Sequence, residues 1–244
     1  LRIPQSADVT LDNLSFTYGD APIFSGLSLT AHPGAIIGVT GPVACGKSTF
    51  GRVFLCEMPY GGSVRFGGKE LSSFSPREIS GMVGYLGHDP ELSMDTIQNN
   101  VLFGSKQDVL PQLNAVVLTD EVLAMENGAD TVVGSSGARL SGGQAQRLAL
   151  ARTLAHPRPL MILDDPFSAL DRKTEDAVFA NLQAYAKDKV VFLISHRLYH
   201  FPQMQQVIFM EDGKTTVGTH DELMASVPTY RWLYESQTGG EAHA

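Results

Sequence analysis

The sequence predicts an α/β fold built on a mainly parallel β-sheet with an anion-binding loop at one end. Three observations carry that prediction. Residues 41–49 read Gly-Pro-Val-Ala-Cys-Gly-Lys-Ser-Thr, and Gly41, Gly46, Lys47 and Ser48 match the spacing G-x-x-x-x-G-K-[ST]. An apolar strand-like run, Ala35 to Val39, precedes the loop, and a helix-like run, Phe50 to Cys56, follows it, which is the context the motif requires. Further buried-type strands alternate with helical patterns, and two of them, 160–163 and 190–194, run into Asp164-Asp165 and Ser195-His196. Ligands of such sheets gather at the carboxyl ends of the strands, so polar residues there mark a site.

Taken in order, Val9 to Tyr18 alternates in part, Gly19-Asp20 signals a turn, and Leu27 and Leu29 begin a second short strand. These form a small antiparallel sheet ahead of the loop strand. Val64 to Lys69 is a strand entering a Gly67-Gly68 turn. Ser75-Pro76-Arg77-Glu78 starts a helix, with a Ser cap, Pro in the first turn and Glu three residues after the cap. Met82 to Leu86 is a buried strand, followed by a loop at Gly87 to Pro90. Helical patterns run from Thr96 to Thr119, broken at Gly104 and Pro111, and Gly128 to Ala138 is a loop of small residues. Ala145 to Ala155 is a strong helix opened by Leu140-Ser141-Gly142-Gly143-Gln144, and Thr174 to Ala186 is an amphipathic one. A hairpin turns at Asp212-Gly213, and Thr219 to Glu222 reads as a second capping box before a short helix.

The loop chemistry follows from residue type. Glycines let the backbone turn tightly around an anion. Successive N–H groups at a helix N-terminus point at phosphate oxygens, here in the loop of Gly41, Pro42, Val43, Ala44, Cys45, Gly46 and Thr49, of which Pro42 alone has no N–H to give. Lys47 is expected to reach the β- and γ-phosphates of a nucleotide, and the Ser48 hydroxyl to hold Mg²⁺. Tyr18 ends its strand either as a platform for adenine or as a rim tyrosine packed on the sheet. Cys45, beside Lys47, is either an activated thiol or an inert small residue.

The 244 residues carry 43% hydrophobic and 18% charged side chains, the balance of a packed core rather than a disordered chain. A net charge of −8 without a dense Lys/Arg run argues against a nucleic-acid partner. The two cysteines, Cys45 and Cys56, lie where a bridge would distort the loop, so both read as reduced thiols. No apolar stretch approaches the ~20 residues that span a bilayer. The first residue is Leu1, so a piece of a longer polypeptide is expected.

With Leu140 to Gln144 downstream of the phosphate loop, and an apolar strand ending in acids after it, the chain resembles the nucleotide-binding domain of ATP-binding cassette (ABC) transporters. The likeness covers nearly all of residues 1–244. It implies a P-loop NTPase core of RecA-like type, an antiparallel β-subdomain, and an α-helical signature subdomain at about 88–157. Tyr18 resembles the adenine-stacking aromatic, Gly41 to Ser48 the Walker A loop, Leu160 to Asp164 Walker B, Ser168 to Asp171 the D-loop and His196 the switch histidine. Thr96 to Val101, Thr131 to Gly134 and Tyr230 to Tyr234 resemble exporter segments. The likeness implies ATP and Mg²⁺ as ligands, with Asp164, Ser48 and His88 at the metal. It implies a second nucleotide-binding domain as partner, with Ser141, Gly142, Gly143 and Gln144 facing that partner's ATP. It also implies a membrane domain upstream in the same polypeptide, and a place on the cytoplasmic face of a membrane.

Departures from the family pattern concentrate on catalysis. Asp165 stands where the family usually has glutamate, His88 where it has the Q-loop glutamine, and Ser135-Ser136 where exporters commonly have Glu-Arg. A carboxylate one methylene shorter sits ~1 Å or more from the productive position, a misplacement that can cost ~10²-fold in rate. An intact signature beside a weakened base resembles one half of an asymmetric exporter, with Asp164-Asp165-Pro166 similar to the first such domain of multidrug-resistance-associated proteins. Asp165, His88 and His196 are thus the catalytic candidates, in a chain that clamps ATP and pairs with a different chain. The rival readings are an active homodimer, an importer subunit, a soluble non-transport ABC ATPase and a non-hydrolysing sensor.

Overall fold

The computed structural model describes residues 3–42, 46–134 and 137–239. In chain order the elements begin with β1 (Val9–Tyr18), β2 (Ala21–Ala31), β3 (Ile36–Thr40), α1 (Lys47–Val53), β4 (Gly61–Phe66), β5 (Lys69–Glu70), α2 (Pro76–Met82) and β6 (Val83–Leu86). There follow β7 (Asp95–Thr96), α3 (Ile97–Leu102), α4 (Leu110–Ala115), α5 (Thr119–Leu123), β8 (Val132–Val133), α6 (Gly142–Ala155), β9 (Leu160–Asp164) and α7 (Arg172–Tyr185). The last are β10 (Val190–Ile194), β11 (Gln206–Glu211), β12 (Lys214–Gly218), α8 (His220–Ser226) and α9 (Pro228–Thr238). The chain divides into two compact units, residues 1–84, 158–165 and 186–244 in the first, and residues 85–157 and 166–185 in the second.

The first unit is organised by a ten-stranded sheet in the order β5-β4-β1-β2-β12-β11-β3-β10-β9-β6. Every residue of β3, β9 and β10 is buried, as parallel strands covered on both faces require. Their register aligns the site. Asp164 pairs with Ile194, Ile194 with Val39, and Val39 with Ile208, so the carboxyl ends of adjacent strands form one row. Phe50 of α1 and Phe54 just after it pack on Phe192 of β10, with ring centroids 5.6 and 5.0 Å away, and this anchors the helix that follows the phosphate loop. Burying rings of this size contributes roughly 1.5–3 kcal/mol each.

At the antiparallel edge, β1 pairs with β2 from Val9↔Ala31 to Tyr18↔Ala21 around the Gly19-Asp20 turn. The second strand is eleven residues long, not the short one suggested by Leu27 and Leu29, because pairing with β1 continues past the apolar alternation. The Gly67-Gly68 and Asp212-Gly213 turns both hold two positive φ angles, 58° and 79°, and 51° and 75°, as tight hairpins of this twist need. Ser75 and Glu78 form the full reciprocal capping box. Thr219 supplies only the hydroxyl half of the second box, its Oγ1 accepting the Glu222 N–H at 3.2 Å. The helix after the loop occupies 47–53 rather than 50–56. It starts directly from Gly46, and i→i−3 bonds at Leu55 and Cys56, with Cys56 at φ 55°, tighten and end it.

The second unit is mainly helical. Pro111 opens α4 instead of breaking a longer helix, since a first-turn residue has no intrahelical N–H bond to lose. The small-residue stretch 128–138 contains β8, which pairs with β7 (Asp95↔Val133, Thr96↔Val132). Helix α6 starts at Gly142, three residues before the apolar periodicity begins, because Ser141 caps it. Among the described residues no helix is long and apolar enough to cross a membrane.

Candidate nucleotide site

In the first unit the loop glycine Gly46 sits at φ 93°, and a Cβ there would lie 2.5 Å from Ile23 Cγ2, so only glycine fits. Lys47 folds back over the loop, its Nζ donating to Gly41 O at 2.8 Å. Ser48 is exposed on the first turn of α1, Thr49 and Pro42 are half-buried and Gly41 is buried. Val43, Ala44 and Cys45 lie outside the described residues. Cys56 is a free thiol, pushed up from the ordinary thiol range first by burial and then by the Glu70 charge. Tyr18 is 74% exposed at the end of β1.

Across the strand ends, Asp164 closes β9 with 2% exposure. Asp165 follows in the left-handed region, φ 55°, with its N–H donating to Ile194 O at 2.7 Å. Aspartate is among the side chains that tolerate this region. The turn brings its Oδ1 to 3.3 Å from His196 Nδ1, with the carboxylate side chain 8% and the imidazole 61% exposed. Hydrogen bonding to Asp165 raises the His196 pKa above the ordinary imidazole value, against burial and the Lys47 and Arg197 charges. The backbone carrying His196 is held by a residue that sequence reasoning missed. Gln237 of α9 donates from Nε2 to His196 O at 2.6 Å and accepts the Leu198 N–H on Oε1 at 2.8 Å.

The second unit carries the remaining candidates. His88 is exposed in the loop after β6. Ser141 Oγ accepts the Gln144 N–H at 3.1 Å while Gln144 Oε1 accepts the Ser141 N–H at 3.0 Å. Ser141 and Gly142 are exposed, so the first turn of α6 presents a hydroxyl and helix N-terminal amides outward. A Cβ at Gly143 would lie 2.8 Å from Ala169 O, which excludes any side chain there. Ser135 and Ser136 lie outside the described residues.

Residues 24–168 match the family model described as ABC transporter. The chain belongs to the ABC transporter family. The matched span takes in the phosphate loop, residues 141–144 and Asp164-Asp165, while Tyr18 and His196 fall outside it. The chain is 34% identical over 241 residues to an ATP-dependent lipid A-core flippase of Burkholderia pseudomallei, covering 95% of this chain and 40% of that protein. It is 32% identical over 249 residues to an ABC multidrug transporter of Emericella nidulans, covering 97% of this chain and 18% of that protein. A solved structure of a bacterial Atm1-family ABC exporter with ATP bound superposes with a TM-score of 0.89 at 28% identity, over 98% of this chain and 43% of the other. The chain therefore spans less than half the length of these proteins. It is an ATP-binding ATPase domain of the ABC exporter type, with the α/β architecture that type requires.

The residues present fit a nucleotide and a hard divalent cation. The Lys47 ammonium is folded over the glycine loop. The oxygen donors Ser48 and Asp164, on α1 and at the end of β9, are of the type that Mg²⁺ prefers.

Proposed function

We propose that residues 1–244 form one whole nucleotide-binding domain of an ABC exporter, and that its own ATP site is slow while its signature serves a faster site completed by a different chain. In this reading Tyr18 stacks on adenine, the loop from Gly41 to Thr49 wraps the phosphates, and Lys47 moves from Gly41 O onto the β- and γ-phosphates. Ser48, Asp164 and His88 hold Mg²⁺ or its water shell. The ion neutralises phosphate charge when bound. Asp165 is the residue placed to accept a proton from water, and His196 contacts the γ-phosphate region. The first turn of α6, Ser141 to Gln144, supplies donors to the partner's ATP. A membrane domain upstream in the same polypeptide, on whose cytoplasmic side this domain works, completes the exporter.

The observation that carries the slow-site reading is the Asp165–His196 contact. A carboxylate one methylene short of glutamate lies 8% exposed against an imidazole 3.3 Å away. It is turned toward the histidine and has less reach to a water at the phosphate, and such displacement costs ~10²-fold. Steady-state ATPase activity at high protein concentration tests this, comparing the parent with the Asp165→Glu, His88→Gln double variant. A rise of ~10-fold or more is expected. A parent already fast, with a variant no faster, would instead favour the active homodimer.

A further inference from the structure

The signature turn is held from behind by a charged pair that belongs to none of the motifs above. Arg147, in the second turn of α6, is 7% exposed. Its guanidinium grips Glu121 of α5 with two nitrogens, Nη1 to Oε2 at 2.6 Å and Nη2 to Oε1 at 2.9 Å. The same Nη1 donates to Val117 O at 2.6 Å, and Nε reaches back to Gly143 O at 3.3 Å. Glu121 Oε1 also accepts Gln144 Nε2 at 3.3 Å, from the amide whose oxygen caps the Ser141 N–H. Five residues from three segments thus meet on one ion pair.

We infer that Glu121 and Arg147 are positioning residues, setting where Ser141 and Gly143 present their donors to a partner's ATP; the inference rests on the proposed pairing of two domains. Three features support it. A planar fork with five N–H donors meets the carboxylate in a fixed two-point geometry, with the Arg147 side chain 9% exposed and Glu121 40% exposed at the rim. Val117, β-branched, is kept at φ 58°, and such strain persists only where the surroundings over-determine it. Ala169 O, 2.8 Å from where a Cβ of Gly143 would lie, bounds the turn as well. A shift of α5 along α6 would reach Ser141 through Gln144, and Gly143 through Arg147.

The test compares the full chain with Arg147→Lys, which keeps the charge but loses the fork, and with the apolar double variant Glu121→Leu, Arg147→Met, which keeps the bulk. Readouts are thermal midpoint, fluorescent-ATP binding at the chain's own loop, amide hydrogen exchange at Gln144 and Ala145, and ATP turnover at high protein concentration. Expected are a midpoint within about 4 °C of the parent's, unchanged nucleotide binding, exchange at the two amides at least ~10-fold faster, and turnover down ~10²-fold. Exchange and turnover equal to the parent's in both variants would overturn the inference. If the double variant fails to fold, Arg147→Lys decides on the same readouts. A parent that binds ATP but neither pairs nor turns over would sink the proposed pairing; the exchange arm, which needs no partner, then decides the inference alone.

Discussion

The start of α1 at Gly46-Lys47 and the start of α6 at Ser141 each open a helix at a candidate phosphate contact, yet they are built by opposite means. Around the loop, position is set by main chain: a glycine at φ 93° packed on Ile23, and three parallel strands whose register lines up Val39, Ile194 and Asp164. Around the signature it is set by side chains, with a reciprocal Ser141–Gln144 box backed by Glu121 and Arg147. Main-chain placement tolerates exchange of the side chains that decorate it. A side-chain network does not, because each member is the other's partner.

The largest effect that separates the two regions is on the loop. Lys47→Ala removes a positioned cation, so turnover falls ~10²–10³-fold while amide exchange in α6 stays at the parent level. Nucleotide titration together with exchange mass spectrometry checks it, and a change at α6 would blur the contrast. Next comes Gly143→Ala. The added methyl meets Ala169 O at 2.8 Å, so the turn must shift. Turnover falls ~10²-fold, with nucleotide affinity at the chain's own loop unchanged. Loss of that affinity in a titration would show that the two regions are not separable.

A smaller effect is expected at Gln237, where the first unit departs from its main-chain rule. Gln237→Ala removes both bonds to the backbone around His196. Stability falls by about 1–3 kcal/mol, read from the denaturant midpoint, and turnover falls more than nucleotide binding. Gln237→Glu keeps the acceptor for Leu198 N–H and loses the donor to His196 O, so it lies between parent and Gln237→Ala.

How far these features could be read from the sequence depends on the range of the interactions that make them. Strands β9 and β10 end where the apolar runs end, and the Ser75 box and the Asp212-Gly213 turn follow from residues within three positions of one another. The first half of β2 was not legible, because its pairing with β1 rather than its own apolar pattern extends it. The start of α6 was misread because two glycines mask a helix that its cap nevertheless begins. Gln237 and the Glu121–Arg147 pair had no local signal at all. Their partners lie 41 and 26 residues away, beyond any periodicity a window can register. The motif residues could be named individually, but the turn of Asp165 onto His196 depends on how neighbouring strand ends pack.

The smallest effect is a pH dependence confined to the signature region. The hydrogen bond from Arg147 holds the Glu121 carboxyl below the ordinary carboxylate range, with burial opposing it. The folded-state pKa is therefore lower than the unfolded one, and in the acid range the unfolded chain binds more protons. The stabilisation is present in full above the unfolded value, ~4.3, and is lost as pH falls through the lowered folded value. Glu121 is 40% exposed, so screening keeps the term small, ~1 kcal/mol or less. Urea midpoints taken from pH 6 down to pH 3 should fall more steeply for the parent than for Glu121→Gln, which cannot titrate. His196 in the other region shifts the opposite way, and its stabilisation is complete below the ordinary imidazole value and lost above the raised one. Acid should therefore weaken the Glu121–Arg147 anchor, whereas the His196 contribution is lost on the opposite side, as pH rises through the raised imidazole value. If the two slopes are equal, the Arg147 fork holds the signature turn by shape alone, and charge at Glu121 adds nothing to it.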